Sequence, residues 1–137
     1  MKLIKQGFTL IELLVVITII GILIGVGTAS YQRAVKLSRD SKRKTDIEQI
    51  RQAVETYRSE VGTYPANQAA LVSGGYVNSL PTDPTPPNRY SYVVGNPPTT
   101  YAICSALEIV PTSPVVPNCS GVWCSANADC NYEVDNP

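Results

Sequence analysis

The sequence predicts an α+β protein: a long N-terminal α-helix, with a transmembrane half and an amphipathic half, packed on a small antiparallel β-sheet with a disulfide-bounded C-terminal loop. Three observations carry this. From Leu13 to Ala29 every residue is apolar, Gly or Thr, and from Thr28 to Val61 there is no glycine or proline. Short runs rich in tyrosine and β-branched residues follow. All four cysteines lie in the last third of the chain.

The apolar run comes first. With Phe8 to Ile11 it reaches ~20 residues, the length a helix needs to cross a bilayer. One residue breaks it. Glu12 stands near its start, and the next charge is Arg33. A carboxylate in hydrocarbon costs about 2.5 kcal/mol or more, and such a group calls for a partner. A plain anchor, with Lys2 and Lys5 in the cytoplasm, follows the positive-inside rule. A signal peptide cut near Gly27-Thr28-Ala29 has the small residues it requires. Neither explains Glu12. A cut between Gly7 and Phe8 does, because it creates an α-amine on Phe8, one helical turn from Glu12 on the same face. Within one chain the pair cheapens the anchor; between chains it becomes an assembly device.

The run KQGFTLIELLVVITIIGIL closely resembles the prepilin leader and N-terminal helix of type IV pilins and type II secretion pseudopilins. The shared features are a short basic leader, glycine before the cut, phenylalanine after it, and glutamate within the apolar helix. The resemblance implies the type IV pilin fold and a membrane prepilin peptidase that cuts after Gly7 and N-methylates Phe8. It also implies that Glu12 contacts the Phe8 amine of an adjacent subunit. Residues 1–7 are then a leader, 8–30 a transmembrane and assembly helix, and 31–137 an exported head that includes the second half of the helix. Many pilins carry a kinking proline where this chain has Ala29. Here Gly21, Gly25 and Gly27 soften the helix instead, since glycine costs about 1 kcal/mol relative to alanine. Gly21, Gly25 and Ala29 also form a small-xxx-small row that lets helices approach closely.

Beyond the membrane, Ile47, Ile50, Val54, Tyr57 and Val61 recur at helical spacing as one apolar stripe. Gly62 and Pro65 stop the helix. One helix is therefore expected from about Phe8 to Val61. Its stretch from Ser38 to Asp46 is polar throughout, reads as a neck, and has no evident face to bury. Arg33, Lys36, Arg39, Lys42, Arg43 and Lys44 form a basic collar with the single acid Asp40, and acids predominate from Asp46 to Glu60. Lipid headgroups beside the collar are the simpler reading. Staggered neighbouring helices pairing collar to acids is the sharper one.

The head follows. A short helix is expected over Asn67 to Val72, closed by Gly74, and then turns at Leu80-Pro81 and Asp83-Pro84. The run PTDPTPPNRYSYVVG resembles the loop before the sheet in major pseudopilins. Asp83 is read as a turn residue in preference to a calcium ligand. Tyr90 to Val94, Tyr101 to Leu107 and Tyr132 to Val134 are the strand candidates, with Tyr101, Ile103 and Leu107 on one face and Cys104 on the other. Cys104, Cys119, Cys124 and Cys130 are separated by fourteen, four and five residues. That spacing suits two disulfides in an exported domain, with three pairings open, better than a zinc site. They bound a loop from Ile109 to Asp129. Trp123 within it is expected to pack on the sheet.

Composition excludes several functions. Eleven basic residues balance eleven acidic ones, and there is no histidine. No nucleophile motif or phosphate loop is present, so no enzyme, cofactor or metal is expected. A basic collar beside the membrane, buried in a filament, is a poor nucleic-acid site despite its charge. The expectation is a structural subunit of a type IV pilus or a type II secretion pseudopilus. It sits single-pass in the inner membrane, leader in the cytoplasm and head exported, and then enters an extracellular or periplasmic filament. Its partners are identical or related pilin subunits, the peptidase, the inner-membrane assembly machinery and membrane lipid. The rival reading is a membrane-tethered or secreted, disulfide-stapled binding module that does not polymerise.

Overall fold

The computed structural model describes residues 8–87, 90–112, 116–119, 121–124 and 129–136. The chain divides into two compact units, Met1–Val35 and Lys36–Pro137, and α1 (Leu10–Val61) contributes to both. In the first unit its side chains face outward. The most apolar 18-residue window of α1 has a mean hydropathy of 2.7, and none of it is buried. Among the described residues α1 is the one helix long and apolar enough to cross a membrane.

α1 ends where the sequence stops it. Gly62 adopts φ +87°, a conformation open to glycine at no steric cost, and its N–H donates to the Arg58 carbonyl at 2.8 Å. The following helix, α2 (Ala69–Ser73), is shorter than expected. Asn67 Oδ1 accepts the Ala70 N–H at 3.1 Å at its start. Gly74 closes it by donating to the Ala70 carbonyl at 3.0 Å. A β-carbon there would come within 2.5 Å of the Tyr76 ring, so space dictates this glycine.

Three strands, β1 (Ser91–Val94), β2 (Tyr101–Ser105) and β3 (Tyr132–Asp135), form an antiparallel sheet in sequence order. Ile103 faces Tyr92 on one side and Val134 on the other. Every residue of the central strand β2 is buried, because both faces of the sheet are covered. On one face Tyr101 and Ile103 pack with Ile47, Ile50 and Val54 of α1, together with Tyr64, Leu71 and Tyr90. Burying each aliphatic side chain contributes about 1.5–3 kcal/mol before entropy is counted. On the other face Ala102, Cys104 and Ala106 meet Cys119, Cys124 and Cys130. The pairing left open by spacing is Cys104–Cys119 and Cys124–Cys130.

Several expectations change. Val61 is 50% exposed and lies outside the core cluster that the rest of the stripe joins. Leu107 is buried but lies beyond β2, which ends at Ser105. Trp123 is 57% exposed, so it is not part of the buried core.

The largest correction concerns the polar neck. Arg43 is fully buried, Asp40 is 3% exposed and Asp46 8%. The reason is helical spacing. Asp40, Arg43, Ile47, Ile50 and Val54 advance by three or four residues, so the face that α1 turns to the core starts in the polar run. What looked like a solvated collar is partly interior, held by ion pairs.

Candidate functional site

Two groups of residues stand out: the start of α1, and the polar cluster inside the second unit.

At the start of α1, Thr9 and Glu12 form a reciprocal cap. The Thr9 N–H and hydroxyl each donate to Glu12 Oε2 at 3.0 Å, and the Glu12 N–H donates to Thr9 Oγ1 at 3.3 Å. This is a capping box: Thr at the N-cap, Glu three residues on, each satisfying a backbone N–H that the first helical turn leaves without a partner. The Thr-x-x-Glu spacing was visible in the sequence, and the reading of Glu12 as an isolated charge missed it. Both recorded contacts use Oε2. Phe8, 89% exposed, immediately precedes the cap. A carboxylate at a helix N-terminus is also favoured by the helix dipole.

Gly21, Gly25 and Gly27 lie within the continuous α1, and a β-carbon at any of them would meet nothing within 4 Å. Gly7 and the side chain of Ala29 lie outside the described residues.

The second group centres on Arg43. Its Nε donates to Asp83 Oδ2 at 2.8 Å and its Nη2 to Asp83 Oδ1 at 2.9 Å, a two-point fork. Its Nη1 donates to Asp40 Oδ1 at 2.6 Å and to Glu108 Oε1 at 3.1 Å. Arg39 pairs with Glu108 through Nε and Nη2. Asp40 in turn accepts the N–H groups of Glu108 and Ile109, both at 2.9 Å. Asp83 also accepts the Thr85 N–H at 2.8 Å, so its turn role holds and a second one is added. The Arg39 guanidinium, with Arg43 behind it, holds the Glu108 carboxyl at about 2. The hydrogen bonds that Arg43 donates to Asp83 and Asp40 push its guanidinium further up from its already high value. One step along α1, Tyr90 donates its hydroxyl to Asp46 at 2.7 Å, and burial with this acid raises its pKa.

These in-chain pairs occupy Arg39 and Arg43, two members of the basic collar that could otherwise reach a neighbouring helix. Lys42 lies 3.9 Å from Asp46. Among the described residues no cluster of three or more His, Cys, Asp or Glu is placed to hold a metal ion. Nothing in either group sets a nucleophile against a base.

Known proteins resemble this chain in both parts. The family model described as "Prokaryotic N-terminal methylation motif" matches residues 3–28. Fimbrial protein EcpC of Eikenella corrodens is 41% identical over 85 residues, covering 58% of this chain and 56% of that protein. Type IV major pilin protein PilA of Myxococcus xanthus is 27% identical over 137 residues, covering 97% of this chain and 56% of that protein. Type II secretion system core protein G of Pseudomonas aeruginosa is 30% identical over 105 residues, covering 65% of this chain and 73% of that protein. The chain thus spans little more than half the length of the first two. No solved structure gives a significant match.

Proposed function

Because the chain belongs to the family of type IV pilins and type II secretion pseudopilins, we propose that it is a structural subunit of such a filament and has no catalytic role. One observation carries the reading: a lone carboxylate, Glu12, at the head of an exposed apolar helix that matches the methylation motif. In this reading prepilin peptidase removes residues 1–7, cutting between Gly7 and Phe8 and methylating the new Phe8 amine. The mature chain waits in the inner membrane with its head exported. Apolar side chains of α1 then exchange lipid for neighbouring subunits, which supplies cohesion but little direction.

Direction comes from charge. A filament interior is poor in water, so an amine and a carboxylate there attract strongly and tolerate few wrong positions. The Thr9 cap supports this role, because it fixes the Glu12 carboxylate through Oε2 and leaves Oε1 for the Phe8 amine of the next subunit. Gly21 and Gly25, four residues apart, give this helix a thin side along which neighbours pack, and Gly27 softens the helix close by. Partners are identical or related subunits, the peptidase, the inner-membrane assembly machinery and surrounding lipid.

The test is in two parts. Mass spectrometry of the mature chain should give an N-terminus at methylated Phe8. Glu12→Ala should yield processed, membrane-held protein and few filaments. A mature chain that retains residues 1–7, or normal filament yield from Glu12→Ala, overturns the proposal.

A further inference from the structure

The Arg43 cluster joins three parts of the second unit that are far apart in sequence. Asp40 and Arg43 lie on α1, Asp83 in the proline-rich turn, and Glu108 just past β2, at the entry to the cysteine-bounded loop. The turn is held to α1 by both oxygens of Asp83, and Thr85 N–H caps the same carboxylate. The loop entry is held by two backbone N–H groups on Asp40 and by the Glu108 side chain on Arg39 and Arg43. No hydrogen bond or ion pair is recorded between Asp83 and Glu108; both are reached through one guanidinium. That side chain is fully buried, so water cannot replace a partner that leaves.

We propose that Arg43 is a clasp that makes the proline-rich turn and the entry to the cysteine-bounded loop open and close together. The chemistry is specific to arginine. Its planar fork spends one edge on Asp83 and its other amino group on Asp40 and Glu108, which fixes the angle between the two attachments. Loss of the Asp83 carboxylate frees the guanidinium to tilt towards the remaining acids, which disturbs Asp40 and so the N–H groups of Glu108 and Ile109. Loss of the Glu108 carboxylate acts in the opposite direction on Asp83 and Thr85. Opening of the turn and opening of the loop entry share one coupling free energy, so each favours the other and the cross-effect must run in both directions.

Amide hydrogen exchange on the oxidised full-length chain in detergent tests this. Asp83→Asn should accelerate exchange at Glu108 and Ile109 at least fivefold, and Glu108→Gln should accelerate exchange at Thr85 by a similar factor. Amides of Ala102 to Cys104 in β2 should change less. Arg43→Lys, which keeps the charge but lacks the fork, should loosen both places and abolish the cross-effect of Asp83→Asn. The clasp is overturned if each substitution loosens only its own segment. It is equally overturned if β2 accelerates by the same factor, because the unit would then open as a whole.

Discussion

Replacing Arg43 with methionine should destabilise the head severely. The substitution removes four hydrogen bonds from a fully buried side chain and leaves Asp40, 3% exposed, and Asp83, 8% exposed, without their cation. Breaking a buried pair by deleting one partner costs about 3–5 kcal/mol, because the survivor is a desolvated charge. That is a large share of the ~5–15 kcal/mol by which a domain is stable. With a urea m-value of ~1.5 kcal/mol/M, the midpoint should fall by roughly 2–3 M. Near-ultraviolet circular dichroism suits the measurement, because Tyr64, Tyr90 and Tyr101 lie in the core of this unit. Methionine fills much of the vacated volume, so the loss is electrostatic. Arg43→Met combined with Asp83→Leu should therefore be more stable than Arg43→Met alone, since it removes one stranded carboxylate. A single variant within ~0.5 kcal/mol of the parent would refute the view that these charges are desolvated. So would a double variant weaker than both singles.

Three further outcomes follow from the geometry. Removing Cys104–Cys119, with a sequence separation of 15, should cost about 3 kcal/mol on the loop-entropy model, and removing Cys124–Cys130, with a separation of 6, ~2 kcal/mol; paired serine variants in urea measure both, and the reverse order would contradict the model. Glu108 is held at about 2 against an ordinary 4.5, so its contribution is complete above pH 4.5 and lost as pH falls towards 2; Glu108→Gln should flatten the acid limb of stability, and an unchanged limb would remove this carboxylate from the account. Thr9→Ala deletes the hydroxyl half of the capping box and should cost the helix start about 1 kcal/mol, while leaving more filaments than Glu12→Ala; equal filament loss from both would mean that Glu12 serves mainly as a cap.

Much of this fold was legible because its signals are local. The absence of breakers gave α1, Gly62 gave its end, and alternation placed Tyr101 and Ile103 on the helix face of β2. What was missed depended on partners distant in sequence. Residues 38–46 looked solvated because polarity was equated with exposure, yet Arg43 meets Asp83, forty positions on. Continuing the spacing of Ile50 and Ile47 backwards reaches Arg43 and Asp40, and that was the available clue. At the start of α1, the apolar run and Glu12 are plain. The Thr9 cap is encoded in the Thr-x-x-Glu spacing, but a carboxylate in an apolar run reads first as a charge and only then as an acceptor for the backbone N–H groups of a helix start. The choice among three cysteine pairings depends on which backbones the sheet brings together, and spacing does not encode that.

The outer layer of the sheet has a consequence for where the protein can mature. Ala102, Cys104, Ala106, Cys119, Cys124 and Cys130 are small, and partly buried Val93, Val116 and Val122 add modestly to them, so sulfur–sulfur bonds carry much of what isoleucine and tyrosine do on the opposite face. Thiol-reducing surroundings such as the cytosol would leave that side of β2 poorly covered, whatever the state of the helix packing. With the head exported as proposed, its completion falls to the oxidising side of the membrane, after the chain has left the compartment where it is made.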